Sequence, residues 1–237
     1  AGDLLGDGSD GIHQVIARCR DVARRVGIVV TRTADVATAN QIGCDFVVVK
    51  GHESGGVVGE MSTFVLLQYA LANTSLPVVA WGGIGPSSAA GCQAAGAVGV
   101  VLDWAVALTR ESPLPDRFRK RLAAMDGSET AALSLGGGLF CRLYHQPDFT
   151  ARERLSAFIE EGASKSRDDT SLEEFMASLL RETKAEDRLW PMGQDAAFAS
   201  KWVEQAPTVA AIIRMFEAEV PRLVAGSRNA RALQKNG

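Results

Sequence analysis

Asp45-Phe-Val-Val-Val-Lys50, Gly51-His-Glu-Ser-Gly-Gly-Val-Val-Gly59, Leu76-Pro-Val-Val-Ala-Trp-Gly-Gly-Ile84 and Val98-Gly-Val-Val-Leu-Asp103 follow one another in a single stretch, and their order decides the fold. The apolar runs are short, β-branched and free of polar alternation, as expected of strands covered on both faces. Helical segments lie between them: one opens near Ser62 and runs past Tyr69, and another spans Pro86 to Ala95, where proline suits the first turn. Strands spaced by helices of about a dozen residues predict right-handed βαβ crossovers in a parallel sheet, with ligands held at the carboxyl ends of the strands. The loops that begin at Gly51, Gly82 and Asp103 are therefore expected on one face. Glycines at Gly51, Gly55, Gly56 and Gly59 let a backbone approach an anion.

Upstream, Gly27-Ile-Val-Val-Thr31 reads as a first strand with a crossover helix over Ala34 to Ile42, so the stretch supplies about four parallel strands. Ile12 to Val26 carries apolar residues at helical spacing, after a glycine-rich loop from Gly6 to Gly11. The opening Ala1-Gly2 without methionine reads as a cut. Downstream of Asp103 the character changes. Ala105 to Arg110 and Pro115 to Met125 are predicted helices, and Leu139-Phe-Cys-Arg-Leu-Tyr144 an isolated strand. Arg152 to Gly162, Ser171 to Lys184, Asp195 to Gln205 and Thr208 to Val224 are predicted helices, with a polar loop from Ser164 to Asp169 and a capping signal at Thr170-Ser171. Ser227 to Gly237 reads as a polar linker or tail.

With 237 residues and 46% apolar side chains the chain can bury one sizeable core, or a core and a smaller subdomain. A net charge of −3 offers no general attraction to nucleic acid or an anionic membrane, and neither is expected as a partner. No apolar run reaches the roughly 20 residues that span a bilayer, and the cytoplasm is the expected compartment. Cys19, Cys44, Cys92 and Cys141 are widely separated, which suggests reduced thiols rather than a metal site or a disulfide framework.

The Lys50–Gly59 loop, Val78-Val-Ala-Trp-Gly-Gly-Ile84 and Gly96-Ala-Val-Gly-Val-Val-Leu102 resemble the second half of a nitronate monooxygenase (2-nitropropane dioxygenase) barrel. That group of FMN-dependent TIM barrels also includes a bacterial enoyl-acyl-carrier-protein reductase. Leu108-Thr-Arg-Glu-Ser-Pro-Leu114, Met125-Asp-Gly-Ser-Glu-Thr130 and Leu189-Trp-Pro-Met-Gly-Gln-Asp-Ala-Ala-Phe-Ala199 extend the similarity to the variant at the start of large bacterial polyketide synthases. The resemblance implies an α/β fold: parallel β/α units of a partial TIM barrel over 1–112, a mainly helical subdomain over 113–226, and a linker or tail over 227–237. It also implies FMN as cofactor, an acyl intermediate as substrate, and the other domains of a synthase as partners. Four strands leave half a barrel, so a homo-oligomer or a neighbouring segment is expected to cover the open side.

The same resemblance places a catalytic histidine where this chain has Val57, so nitronate oxidation is not expected. It places Gly-Thr, whose N–H groups hold the FMN phosphate, where this chain has Asp103-Trp104. The catalytic candidates are His52 as an acid/base; Glu53, bonding the flavin or capping the next helix; and Lys50, beside the flavin N1–C2=O or paired with Glu53 or Asp103. The candidates for the cofactor are Gly51, Gly55, Gly56, Gly82, Gly83 and Asp103, and no metal site is expected. Gly82-Gly83 either binds phosphate or makes a tight turn; Asp103 either repels phosphate or caps the helix after it. Trp190-Pro-Met-Gly-Gln194 reads as a packed corner. Two functions follow: an FMN-binding reductase-like domain acting on an acyl chain, or a non-catalytic relic used for dimerisation or docking.

Overall fold

A computed structural model describes residues 9–163 and 169–234. After helix α1 (Ser9–Arg20) the chain alternates β1 (Gly27–Val30), α2 (Thr33–Gln41), β2 (Phe46–Lys50), β3 (Gly56–Val58), α3 (Thr63–Asn73), β4 (Val78–Trp81), α4 (Pro86–Ala95) and β5 (Gly99–Val101). Then come α5 (Asp116–Ala123), the strands β6 (Thr130–Gly136) and β7 (Leu139–Tyr144), and helices α6 (Ala151–Ala163), α7 (Asp169–Leu180), α8 (Ala199–Gln205) and α9 (Val209–Gln234). Short 3-10 turns sit at Trp104–Val106 and Gln194–Phe198. The mixed α/β architecture with parallel β/α units is the one the sequence predicts.

β1, β2, β4 and β5 form a four-stranded parallel sheet in the order β1-β2-β4-β5. Because side chains alternate along a strand, each contributes to two faces. Val30, Val47, Val49, Val78 and Ala80 point to the helical side and pack on Leu66, Leu67 and Ala70 of α3 and on Ala89 and Cys92 of α4, with Ile212 and Phe216 of α9 closing the layer. Burying each of the two leucines contributes about 1.5–3 kcal/mol relative to leaving it in water. The opposite face carries Val29, Val48, Lys50, Val79, Trp81 and Val101. The register sets Val48 beside Val79 and Lys50 beside Trp81, which in turn neighbours Val101. Among the described residues β1 and β5 have no outer partner, and Val29 is 47% exposed.

A second sheet, antiparallel and ordered β3-β7-β6, joins the glycine loop to the later part of the chain. Val57 of β3 stands opposite Cys141 of β7, and β7 pairs with β6 along nearly its whole length. Cys141 and Leu143 pack on Leu155 of α6, Leu179 at the end of α7, and Leu189. A third core is aromatic: Phe118 of α5 stacks on Trp190 at 4.1 Å, with Tyr144, Phe149 and Trp104 edge-on around it.

Several local expectations are corrected. Leu139–Tyr144 is not isolated, and its partner Thr130–Gly136 was not predicted as a strand; β6 mixes small residues with leucines, so its own pattern is weak. Ala105–Arg110 is not a helix beyond the 3-10 turn at Trp104–Val106. Asp195–Gln205 divides into a 3-10 turn and α8, and α9 continues through the polar stretch from Ser227 to Gln234. Residues 1–8 and 164–168, with the loops expected there, and the side chains of the Thr170-Ser171 signal lie outside the described residues. All four cysteines are free thiols; Cys44, Cys92 and Cys141 are buried.

Candidate functional site at the carboxyl ends of β2 and β4

Lys50 closes β2, and strand alternation turns it away from the helical core. Its neighbour on β4, Trp81, lies alongside, so the ammonium sits 4.4 Å from the indole centroid. Lys50 is only 8% exposed, and among the described residues no carboxylate lies within the 4 Å of an ion pair. Burial lowers its pKa, offset in part by the charge of Asp103. Asp103, just past β5, accepts a hydrogen bond from Trp81 Nε1 at 3.0 Å. Burial raises the pKa of its carboxyl, against the indole bond and the Lys50 charge, which favour ionisation. Both shifts run against ion-pair formation: desolvation outweighs the attraction between the two groups.

These side chains open onto a cavity of about 490 Å³ whose walls include Lys50, Gly56, Trp81, Asp103, Trp104 and Cys141. Gly55, Val57 and Pro191 complete the rim on one side, Met176 and Leu180 of α7 and Leu189 on the other. The Cys141 thiol is fully buried and pushed up to about 12 by burial, so it is no nucleophile at neutral pH. The corner around Trp190 holds this wall in place. Trp104 Nε1 donates to the Pro191 carbonyl at 2.7 Å, Gln194 N donates to the Glu53 carbonyl at 2.9 Å, and a Cβ on Gly55 would collide with the Pro191 carbonyl. The corner is packed, as the sequence suggests, and also lines the cavity.

Of the residues singled out in the sequence, the cavity gathers Lys50, Gly55, Gly56 and Asp103. The others are placed beside it in the scaffold. His52 Nδ1 lies 2.7 Å from the Gly59 carbonyl, its ring stands edge-on to Phe140, and its own carbonyl accepts from Arg142 Nε at 2.7 Å. Glu53 accepts from the Thr63 N–H at 3.1 and 3.2 Å, which satisfies an orphan donor in the first turn of α3. Gly51 packs so closely on Thr63 that a Cβ would overlap its backbone nitrogen. Gly82 has φ 131°, and a Cβ there would lie 2.5 Å from Ser54 Oγ and Thr63 Oγ1; Gly83, at φ 59°, faces Glu53. Both hydroxyls donate to the Trp81 carbonyl at 2.9 Å. Gly82 is thus required by close packing between β4 and the Gly51–Glu53 turn, and Gly83 by its left-handed backbone.

A family model described as nitronate monooxygenase matches residues 10–213. The chain belongs to the nitronate monooxygenase family. Its fold is that of a flavin-type oxidoreductase, and solved structures agree. FabK from Thermotoga maritima superimposes with a TM-score of 0.70 at 21% identity, covering 95% of this chain and 68% of that one. Nitroalkane oxidase from Streptomyces ansochromogenes gives 0.63 at 20% identity, over 90% and 62%. The enoyl reductase domain of MlnA, from the macrolactin biosynthesis cluster of Bacillus amyloliquefaciens, gives 0.60 at 12% identity, over 87% and 69%. Among curated proteins, a Mycobacterium tuberculosis (3aS,4S,5R,7aS)-5-hydroxy-7a-methyl-1-oxo-octahydro-1H-indene-4-carboxyl-CoA dehydrogenase is 32% identical over 127 residues, 49% of this chain and 34% of that protein. The Rhodococcus jostii protein of the same name is 37% identical over 89 residues, 37% of this chain and 25% of that one. The matched region spans about a third or less of these curated relatives.

One buried group went unread in the sequence. Asp195, 4% exposed in the 3-10 turn after the Trp190 corner, accepts from the Ala105 N–H at 3.2 Å through one oxygen; its other oxygen is buried without a partner. Burial and the Asp103 charge push its pKa up to about 7. Only the approach of a segment ninety residues away creates this environment, so no local signal announces it.

Proposed function

We propose that this chain is a domain of a multidomain polyketide synthase that uses a flavin-oxidoreductase fold to hold an acyl intermediate against Lys50, without FMN. The observation that carries this reading is the placement of carboxylates where the cofactor phosphate would need donors. FMN asks for a slot that takes a planar ring with a cation at its N1–C2=O edge, and for backbone N–H groups facing a phosphate dianion. The first requirement is met. Trp81, Trp104 and Lys50 line a cavity of a size usual for small ligands, and Gly56, at φ 80°, brings the backbone to its wall. The second is not met. The Cα side of Gly82 is filled by Ser54 and Thr63, Gly83 faces the Glu53 carboxylate, and Asp103 stands just past β5. Asp103 supplies a side-chain carboxyl where backbone N–H donors are needed, and in its ionised form, a few ångströms from a phosphate, it costs on the order of 1 kcal/mol or more when partly desolvated. With Val57 engaged in strand pairing opposite Cys141, no base stands at the position where the family resemblance calls for one. What remains is an apolar, aromatic cavity with one amine and one carboxyl, which suits the carbonyl end of an acyl chain. The polyketide setting draws on the residues shared with synthase barrels and on the likeness to the MlnA domain.

The purified protein is expected to show no visible flavin band, to bind no FMN on titration and to consume no oxygen with a nitroalkane. Asp103→Gly is expected to lose the indole–carboxylate bond, lowering stability by about 1–3 kcal/mol, and still to bind no FMN. A short acyl-pantetheine thioester should quench tryptophan fluorescence saturably, and Trp81→Phe should diminish that quenching. Saturable FMN binding by the wild type, or no response to the thioester, would overturn the reading.

A second role, self-association or completion by a neighbouring segment, is favoured by the edges of β1 and β5, unpaired among the described residues, and by the half-exposed Val29 on β1. Unpaired strand edges are templates for further pairing. Sedimentation velocity is expected to show association that grows with concentration in the micromolar range; a monomer across that range would mean the open side needs no partner.

A further inference from the structure

We infer that Lys50 captures ketone-bearing acyl groups covalently, as an imine formed in the cavity between β2, β4 and the Trp190 corner. The inference rests on the acyl-binding reading above and assigns the amine a chemical role within it. Among the described residues Lys50 is the one buried lysine; Lys120, Lys184 and Lys201 are exposed. Its amine reaches the cavity wall beside Gly56, where a Cβ would lie 3.5 Å from Nζ, so glycine leaves the approach to the nitrogen open. No carboxylate oxygen is within 4 Å to fix the amine as a salt bridge. Asp103 lines the same cavity, its carboxyl oxygens more than 4 Å from the amine. Apolar burial favours the uncharged amine, the form that attacks carbonyls, and favours a protonated Asp103, the form that gives a proton. The position of the ammonium over the Trp81 ring works the other way and holds the resting cation until a ligand arrives.

The step balances without a redox partner. The Lys50 nitrogen lone pair adds to the ketone carbon, the carbonyl π electrons pass to oxygen, and a proton moves from nitrogen to that oxygen to give a carbinolamine. Asp103 protonates the departing hydroxyl, water leaves, the carbon–nitrogen double bond forms, and the proton still on nitrogen returns to the Asp103 carboxylate. Ketone and amine become imine and one water. A 3-oxoacyl thioester, the β-keto form of a carrier-bound acyl chain, presents such a ketone two bonds beyond the thioester carbonyl.

The test incubates the whole chain with a 3-oxoacyl-pantetheine thioester, adds borohydride, and maps adducts by peptide mass spectrometry. The expected product is an adduct on Lys50 equal to the probe less one oxygen, since imine formation removes water and reduction adds two hydrogens. Simple acyl transfer from the thioester would instead leave an amide lacking the pantetheine, so mass separates the two. The reduced adduct should be lost in Lys50→Arg, which keeps the charge but not the nucleophile, and be weakened in Asp103→Asn. Circular dichroism of both variants reports whether the fold persists, and adduct mapping in the wild type stands even if it does not. Adduct on the exposed lysines in preference to Lys50, or an amide there in place of the reduced imine, overturns the inference. Saturable fluorescence quenching by the same thioester with no adduct overturns the imine and leaves acyl binding intact. Neither quenching nor adduct overturns both.

Discussion

Phe118→Ala is expected to destabilise the chain by about 3–5 kcal/mol, the cost of removing a large buried aromatic side chain and leaving a cavity that the surroundings only partly fill. Phe118 is 2% exposed and lies at the centre of the aromatic core, stacked on Trp190 and edge-on to Tyr144, Phe149 and Trp104. The loss should reach the functional site. Trp104 both touches Phe118 and donates to the Pro191 carbonyl, so loosening the ring cluster frees one wall of the Lys50 cavity. Urea titration of both proteins measures the first effect, and thioester quenching in the surviving folded fraction measures the second. A loss below about 1 kcal/mol would mean that the cluster does not support the fold.

The second large effect is a dependence of stability on pH set by Asp195. Its pKa rises from 3.8 to about 7 on folding, chiefly through burial. A carboxyl raised in the folded state contributes stability that is fully present below the unfolded value near 3.8 and is lost as pH climbs through about 7. At about 1.4 kcal/mol per unit, the contribution is on the order of 4 kcal/mol between those limits. Asp103, also raised by burial and facing Asp195, acts in the same direction. Lys50, lowered by burial, acts oppositely and on the alkaline side. Asp195→Asn removes the proton exchange while keeping an acceptor for the Ala105 N–H. Its chemical-denaturation midpoint is expected to vary far less between pH 5 and 8 than that of the wild type and to exceed it at pH 8. Parallel curves for the two proteins would sink this account.

The parallel sheet was legible because each strand carries its own signal: Phe46–Val49 and Val78–Trp81 are uninterrupted apolar runs, the first leading through Lys50 to Gly51 and the second set between Pro77 and Gly82. Lys50 stood out for the same reason, being the one charge at the end of a buried run. What the sequence could not disclose depends on long-range contact. Glu53 suits a hydroxyl of a flavin as well as it suits a helix start, and Gly82-Gly83 suits a phosphate as well as a tight turn; only the approach of Thr63 to Glu53 and Gly82 decides their placement. His52 is occupied by the Gly59 carbonyl and the Phe140 ring, the latter from a strand nearly ninety positions later. β6 is weak on its own and acquires its place by pairing with β7, while Asp195 is an ordinary turn residue until Ala105 closes over it.

The pairing of β3 with β7 bears on how the molecule folds. Val57 sits in the middle of the β/α units, yet its strand partner Cys141 comes more than eighty residues later. Closing so long a loop carries an entropy cost that local contacts do not share, and chains rich in such contacts fold slowly. The parallel strands can zip together early through neighbouring crossovers, but the rim of the cavity beside Gly56 must wait for the β6–β7 hairpin to arrive. In a refolding experiment, burial of Trp81 in the cavity would then trail the formation of secondary structure. On a ribosome, the site would take shape only after the polypeptide beyond Pro191, which completes its wall, had emerged.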